Sequence, residues 1–393
     1  MRAVSVLAVA LAALLIAACG DDDAGGAASG GNVKIGAWYP LTGPVAASGI
    51  PQKEGASAFF QQLNADGGLN GRKVEYIARD NAYDPQQTIQ AARKLVGEDD
   101  VVAIVGANGT ATSAAAFPFV MDQAKVPFIN AYGGAGDWYN PPKPLLFGSF
   151  TLYEAQGAAA GAWAAEDGHK NILVVRSDPA AFENVAKHVG PGAQSVDPAV
   201  SVDELVVKFQ TTDYAPIVGQ VRERNPDAVV LILAFPEAAA YLKAAQLQGV
   251  EAAAYGYAPT GDEGLIKLAG DAAESFHAVS LTKPALDPGP AMKKYRQALD
   301  KYAPKEEPSV NSATNYANAM AFAEVAKTIE GDITSESIVK AFENAGTVET
   351  GILPPLEWSA DDHLGTDQVQ RIRVEDGKWV AVGDFMAAPS VEG

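Results

Sequence analysis

The residues best suited to binding chemistry lie in one turn between two apolar segments. Residues 101–105 form a short β-branched run, which is typical of a strand buried on both faces in a parallel sheet. The next residues, 106–109, include Asn108 and Gly109, and the glycines let backbone amides approach a bound group closely. Thr110 then stands where a helix begins, where unpaired N–H groups and the helix dipole favour an anion. The turn predicts a cradle for a small anion such as a carboxylate; the alternative is that Thr110 only caps the helix.

Other residue types that carry chemistry show no comparable arrangement. The four histidines, His169, His188, His277 and His363, are scattered without the spacing of metal ligands, so no metal or cofactor is expected. The sequence contains no Gly-x-Ser-x-Gly motif, no Walker loop and no dinucleotide-binding fingerprint. A binding protein is therefore favoured over an enzyme on the same kind of sheet.

Alternating strand and helix patterns position this turn. Strands are predicted at 33–39, 73–79, 101–105 and 127–131, with helices that begin at Pro51 and Pro85 between the first three. Such alternation predicts a parallel sheet with helices on both faces and ligands at the carboxyl ends of the strands. Thr110 and the segment Tyr132-Gly133-Gly134 both follow strands, so both are expected to face one crevice.

The pattern then restarts after a proline-rich stretch, 139–144, which is a candidate crossing between two domains. Strands are predicted at 171–176, 202–207, 227–234, 252–257 and 276–281, and Lys283-Pro284 is a second candidate crossing. Helices are predicted at 290–302, 311–329 and 335–344, and final strands at 368–374 and 378–385. We therefore predict an α/β fold with two doubly wound parallel-sheet lobes.

The N-terminal segment predicts export. Arg2 precedes an apolar stretch, 3–16, that is too short to span a bilayer comfortably. The small residues before Cys19, the only cysteine, resemble a bacterial lipoprotein signal, in which the thiol carries lipid after cleavage. We expect a signal peptide over 1–18, a flexible tether over 19–32 and a membrane anchor at Cys19. The alternative is an ordinary secretory signal with an incidental cysteine.

Composition limits the class of partner. A chain of 393 residues with 48% hydrophobic and 20% charged residues is globular and long enough for two domains. Its formal net charge of −19 argues against nucleic acid, whose phosphates require a basic surface. We expect a monomer whose partner is a small-molecule solute.

Three motifs occur in an informative order: Pro40-Leu41-Thr42-Gly43-Pro44, Asn64-Ala65-Asp66-Gly67-Gly68-Leu69-Asn70-Gly71 and Asp80-Asn81-Ala82-Tyr83-Asp84-Pro85. Together with the 101–106 strand they resemble the leucine/isoleucine/valine-binding proteins, which are type I solute-binding proteins of ABC importers. The resemblance implies two lobes that are joined by three crossings and close around a ligand. It places 33–149 plus 282–350 in the first lobe and 150–281 plus 351–393 in the second.

The resemblance also implies site residues. In the first lobe, Thr110 would hold the ligand carboxylate, the backbone of Tyr132 would contribute, Gly134 stands where a hydroxyl is usual, and Ser48 replaces an aromatic residue. In the second lobe, the resemblance implies aromatic contacts from Phe182, Phe235 and Tyr257. The family's disulfide is absent, since Tyr83 and Gly109 occupy its two positions.

One departure from the family bears on the ligand. Amino-acid binders keep an acidic residue for the ligand ammonium, and Ala258 stands at that position here. Asp262 and Glu263 lie nearby, but we expect them to open the next helix. A buried ammonium without an opposite charge is costly, so a carboxylate or amide without an amine fits as well or better.

These observations predict an extracytoplasmic, lipid-anchored protein that delivers a small carboxylate- or amide-bearing solute to the permease subunits of an ABC importer. The solute would be a branched-chain amino acid or a related apolar or aromatic compound. One alternative is a sensing module with the same site that reports to a membrane receptor. An enzyme on the same fold is the other.

Overall fold

The computed structural model describes residues 31–391. The predicted signal peptide, all but the end of the tether and the predicted lipid anchor at Cys19 lie outside the described residues. The strands are β1 (Val33–Tyr39), β2 (Val74–Asp80), β3 (Ala103–Val105), β4 (Phe128–Ile129), β5 (Leu146–Phe147), β6 (Asn171–Ser177), β7 (Ser201–Val207), β8 (Ala228–Ile232), β9 (Ala253–Gly256), β10 (His277–Ser280), β11 (Gly346–Val348), β12 (Leu356–Trp358), β13 (Gln368–Glu375) and β14 (Lys378–Ala387). The α-helices are α1 (Ala46–Ala65), α2 (Pro85–Gly97), α3 (Thr110–Phe117), α4 (Tyr153–Glu166), α5 (Ala180–Val196), α6 (Ala215–Arg224), α7 (Phe235–Leu247), α8 (Glu263–Ala269), α9 (Pro290–Tyr302), α10 (Val310–Ala326) and α11 (Ser335–Glu343).

The first lobe is built on a parallel sheet of five strands in the order β2-β1-β3-β4-β5. Its central strands are apolar because helices cover both faces; β3, for example, is wholly buried. Helix α1 packs on one face through Phe59, Phe60 and Leu63, beside the buried helix α10. On the other face, α2 packs against α3 and β1.

The second lobe contains a seven-stranded sheet in the order β14-β13-β10-β9-β8-β6-β7. Strands β6 to β10 run parallel, whereas β13 and β14 are antiparallel to their neighbours. The predicted α/β fold with two doubly wound lobes is confirmed, and this antiparallel edge is an addition to it. Because the carboxyl ends of the parallel strands of both sheets border one cleft, the loops that follow them are brought together.

The chain leaves the first lobe later than the proline-rich stretch suggested. The predicted crossing at 139–144 is wrong, because the chain next adds β5 to the first sheet, pairing Phe147 with Ile129. The segment from 351 was expected in the second lobe, but residues 352–358 pack in the first-lobe core. There, Trp358 donates a hydrogen bond of 2.8 Å from Nε1 to the carbonyl of Gly148 and packs on Phe342, with ring centroids 5.0 Å apart.

Two helix starts test the local rules. Asp84 caps α2 as expected, accepting a 2.8 Å hydrogen bond from the backbone N–H of Gln87, and Pro85 is the first helical residue. In contrast, α1 begins at Ala46 rather than at Pro51, which lies inside the helix. The missing N–H of Pro51 removes a single helical bond near the start, and burial of the apolar face of α1 against the core outweighs that loss.

Candidate functional site

A cavity of about 360 Å³ lies between the two lobes. The first lobe contributes Pro44, Val45, Ala47, Ser48, Tyr83, Asn108, Gly109, Thr110 and Tyr132 to its lining. The second contributes Tyr153, Ala181, Phe182, Phe209, Gln210, Thr211, Thr212, Ala234, Phe235, Pro236, Glu237, Ala240, Tyr257 and Pro259. The structure thus brings together the sequence-predicted residues Ser48, Asn108, Gly109, Thr110, Tyr132, Phe182, Phe235 and Tyr257. The cavity volume is in the range of small-molecule binding sites.

Thr110 is the first residue of α3, so it does not cap that helix. The residue before it, Gly109, holds the capping position with a φ of +110°, a conformation that side chains disfavour. No side chain of the described residues caps the helix. The Thr110 hydroxyl instead contacts the hydroxyl of Tyr153 in the second lobe at 2.7 Å. The alternative that Thr110 is only a cap is therefore wrong, and its hydroxyl faces the interlobe cavity.

The N-terminus of α3 also offers free backbone donors. The first amide of the helix that finds an acceptor is that of Ser113, which donates to the carbonyl of Gly109 at 3.0 Å. In the described part of the chain, the amides of Thr110, Ala111 and Thr112 have no acceptor. With the dipole of the helix, these N–H groups and the Thr110 hydroxyl make a site for an anion.

Tyr132 lines the cavity, whereas its neighbours Gly133 and Gly134 make contacts within the fold. The Tyr132 side chain lines the cavity and packs on Phe150, with ring centroids 4.8 Å apart, while its carbonyl accepts a 3.2 Å hydrogen bond from the Gly109 amide. Gly133 and Gly134, predicted to bind ligand, do not line the cavity. A Cβ on Gly133 would lie 3.0 Å from the Thr110 hydroxyl oxygen. The carbonyl of Gly134 accepts a 2.8 Å bond from the amide of Tyr153.

Aromatic side chains form the opposite wall of the cavity. Phe182 packs between Phe209 and Tyr257, with ring centroids 5.6 and 6.2 Å away, and Phe235 lines the cavity at the start of α7. Each follows a parallel strand of the second sheet. The side chains are buried, so this wall favours an apolar or aromatic ligand body.

Two further tyrosines and one loop of the lining were not foreseen. Tyr83 and Tyr153 contribute hydroxyls, and the loop of residues 209–212 follows β7. The rule that ligands collect at the carboxyl ends of parallel strands points to that loop, whereas Tyr153 follows a crossing and carries no such signal. Burial raises the pKa of Tyr83, Tyr132, Tyr153 and Tyr257, so all four phenols stay protonated and able to donate.

Glu237 is the only charged side chain that lines the cavity in the described part of the chain. Its carboxylate accepts hydrogen bonds from the amides of Gln210 at 2.8 Å and Ala234 at 3.2 Å, and from the hydroxyl of Ser177 at 3.2 Å. Burial raises the pKa of Glu237. Glu237 thus joins three loops of the second lobe, and each of its oxygens already accepts at least one hydrogen bond from the protein.

Asp262 and Glu263 open α8 as predicted, with Asp262 accepting a 2.9 Å bond from the Gly264 amide. Both carboxylates also reach the first lobe. Asp262 accepts from Asn311 at 3.0 Å, and Glu263 accepts from the Val310 amide at 2.7 Å. Burial, followed by the charge of Asp262, raises the pKa of Glu263 to about 8. These contacts therefore hold the lobes together outside the cavity.

His363 and His277 pack within the two lobes rather than in the cavity. His363 Nδ1 is 2.9 Å from the carbonyl of Lys143, and its ring stacks on Phe147. His277 stacks on Tyr255. Within residues 31–391, no three His, Cys, Asp or Glu side chains are grouped to hold a metal ion, and no helix is both long and apolar enough to cross a membrane.

Two α/β lobes with a cavity between them define a class, the two-lobed solute-binding proteins. Residues 32–378 match the family described as Periplasmic binding protein, and the chain belongs to this family, in the type I group that resembles leucine/isoleucine/valine-binding proteins. Membership of that family implies an extracytoplasmic location.

Several relatives are similar along most of the chain. A Leu/Ile/Val-binding protein from Citrobacter freundii is 26% identical over 361 residues, covering 89% of this chain and 93% of that protein. A leucine-, isoleucine-, valine-, threonine- and alanine-binding protein from Pseudomonas aeruginosa is 28% identical over 246 residues, covering 62% of this chain and 65% of that protein. The relatives are thus named as binding proteins rather than enzymes.

Among solved structures, a solute-binding protein of an ABC transporter from Rhodopseudomonas palustris, in complex with 3,4-dihydroxybenzoic acid, has a TM-score of 0.79 and 22% identity. The match covers 92% of this chain and 98% of that one. A branched-chain amino acid ABC transporter structure from Thermus thermophilus with bound valine has a TM-score of 0.80 and 19% identity, covering 91% and 97%. At these identities the structural matches show the fold.

Proposed function

We propose that this chain is a lipid-anchored solute-binding protein that delivers a small carboxylate-bearing solute to the permease of an ABC importer. The observation that carries the proposal is the polarity of the cavity, in which an anion site on one lobe faces an aromatic wall on the other. The ligand would bridge the two, so that binding favours the closed arrangement of the lobes.

The carboxylate would lie at the N-terminus of α3. There it would accept hydrogen bonds from the free amides and from the Thr110 hydroxyl, which remains in contact with Tyr153. The apolar body would pack on Phe182 and Phe235, and closure would exclude water from the site. None of these contacts makes or breaks a covalent bond.

The ligand we favour has no amine. Ala258 stands in a short 3-10 turn and does not line the cavity. Among residues 31–391 Glu237 is the one carboxylate of the lining, and it already accepts three hydrogen bonds. An ammonium would therefore lack a dedicated opposite charge. A branched-chain amino acid is the second candidate, because the Citrobacter and Pseudomonas relatives are named for such ligands.

A thermal-shift screen of unfolded and refolded protein tests the ligand class. The panel contains leucine, valine, benzoate, hydroxybenzoates, aliphatic carboxylates and the corresponding amides. A ligand at a hundred times its dissociation constant should add about 2.7 kcal/mol of stability. We expect carboxylates without an amine to give larger shifts than leucine. A clearly larger shift with leucine would show that Glu237 or another group serves the ammonium.

The importer and a sensing partner would use the same site. Genes for a permease and an ATPase beside the gene for this chain would support delivery to an importer. A neighbouring receptor gene without them would support the sensing alternative.

A further inference from the structure

A chain of four buried polar side chains connects the second lobe to the cavity. Asn108 Nδ2 donates to Gln52 Oε1 at 2.6 Å, and Gln52 Nε2 donates to Asn311 Oδ1 at 2.8 Å. Asn311 Nδ2 then donates to Asp262 Oδ2 at 2.8 Å. All four residues are buried, and of these Asn108 alone lines the cavity.

Asp262 sets the direction of this chain. Each of its oxygens accepts from a backbone amide that cannot reverse its role, Oδ1 from Gly264 and Oδ2 from Asn311. The Asn311 side chain must therefore turn its NH₂ group toward Asp262 and its carbonyl toward Gln52. Gln52 must then turn its own carbonyl toward Asn108, because two facing acceptors or two facing donors would leave buried polar groups unpaired.

The other polar atom of the Asn108 side chain is Oδ1, which receives no hydrogen bond from the described residues. We propose that Asn108 determines specificity by presenting this carbonyl oxygen to the ligand, and that Asp262, Asn311 and Gln52 are positioning residues that fix its orientation from across the cleft. This inference rests on the proposed function and deepens it. The ligand carries a hydroxyl or another hydrogen-bond donor on its body in addition to the carboxylate.

Asn108 would therefore select ligands by whether they carry a hydrogen-bond donor rather than by their size. A ligand donor satisfies Asn108, whereas an acceptor at the same place would face a carbonyl that cannot turn away. A pair of ligands that differ only by hydroxyl and fluorine isolates this effect, because the two substituents are similar in size and only the hydroxyl donates.

The test measures, by calorimetry on refolded protein, the dissociation constants of 2-, 3- and 4-hydroxybenzoate and of the matching fluorobenzoates. For at least one position, we expect the hydroxyl compound to bind the wild-type protein roughly three- to tenfold more tightly. Asn108→Leu removes the acceptor and Gln52→Leu releases the amide of Asn108, so both should bring the ratio close to one. Taking the ratio within each variant cancels any general loss of affinity.

Gln52→Glu is the matched control. A protonated glutamate at 52 accepts from Asn108 Nδ2 with one oxygen and donates to Asn311 Oδ1 with the other, as Gln52 does, so the ratio should stay at its wild-type value. A ratio near one in the wild-type protein, or a ratio that survives Asn108→Leu, would overturn the inference. If Gln52→Leu fails to fold, Asn108→Leu decides. If no benzoate binds and only amino acids do, the proposed ligand class fails, and this inference fails with it.

Discussion

Replacing Thr110 by valine tests the anion site directly. Valine keeps the β-branched shape of threonine and has a similar helix propensity, but it cannot donate a hydrogen bond. Because Thr110 is the first residue of α3 and does not cap the helix, the substitution removes no capping contact. The hydroxyl that is lost is the one that meets the Tyr153 hydroxyl at 2.7 Å.

The magnitude follows from the two contacts of that hydroxyl. A hydrogen bond to a charged carboxylate contributes about 1.5–3 kcal/mol, and a neutral one about 0.5–1.5 kcal/mol. The loss of the first appears only in the complex, while the loss of the contact with Tyr153 affects the protein with and without ligand. We therefore expect Thr110→Val to weaken binding by about 1–3 kcal/mol, or roughly 5- to 150-fold, and to lower stability without ligand by about 1 kcal/mol.

Calorimetric titration with the tightest carboxylate from the screen, and thermal unfolding without ligand, measure the two effects. Tyr153→Phe is the matched control, because it breaks the same interlobe contact but leaves the Thr110 hydroxyl in place. It should lower stability about as much as Thr110→Val and weaken binding less. Equal losses of affinity in the two variants, or an unchanged dissociation constant in Thr110→Val, would refute the role of Thr110 as a carboxylate ligand.

Three further predictions concern closure, the turn and the anchor. In the arrangement described here, burial and the charge of Asp262 raise the pKa of Glu263 to about 8. We expect opening of the lobes to expose this carboxyl, so the closed form would bind a proton more tightly than the open form. This stabilisation of the closed form is fully present below the ordinary pKa of glutamate and is lost as the pH rises through about 8. Binding titrations between about pH 9 and about pH 6 should therefore show a lower dissociation constant at lower pH, by at most about tenfold per pH unit. In Glu263→Gln the dissociation constant should depend less on pH. Gly109→Ala should lower stability by about 1–3 kcal/mol, because φ is +110° and the new Cβ would lie 2.1 Å from Thr112 Oγ1; Gly97→Ala, at the open end of α2, should be neutral or stabilising in the same unfolding assay. In detergent phase partitioning, Cys19→Ser should move the protein from the detergent phase to the aqueous phase. Retention of the variant in the detergent phase would argue against lipidation at this residue.

The element pattern predicted most of the fold because it depends on local alternation. Apolar runs such as 171–176 and 227–234 read as strands, and they pair as β6 and β8. The antiparallel pair of β11 and β12 was not predicted, because strands of three residues are too short to show a periodic pattern. The crossing expected at 139–144 was wrong because proline marks a stop in regular structure but does not say which sheet the next strand joins.

Residue types after strands pointed to Thr110, and the family resemblance pointed to Phe235; both line the cavity. Tyr153 could not be found in this way, because it follows a crossing between lobes and its approach to Thr110 depends on how the lobes meet. The link between Asn108 and Asp262 could not be predicted either, because these residues lie more than a hundred positions apart and are connected by hydrogen bonds through Gln52 and Asn311.

The sequence by itself determined the two-lobed α/β architecture, the turn with free amides and the aromatic character of the opposing loops, because these depend on periodicity and on residues that neighbour one another in the chain. The tertiary structure alone decided that Thr110 meets Tyr153, that Glu237 accepts hydrogen bonds from its own lobe and that Asn108 Oδ1 receives none from the described residues. Hydrogen-bond partners of buried groups are set by the packing of distant segments, and a linear pattern does not record which donor reaches which acceptor.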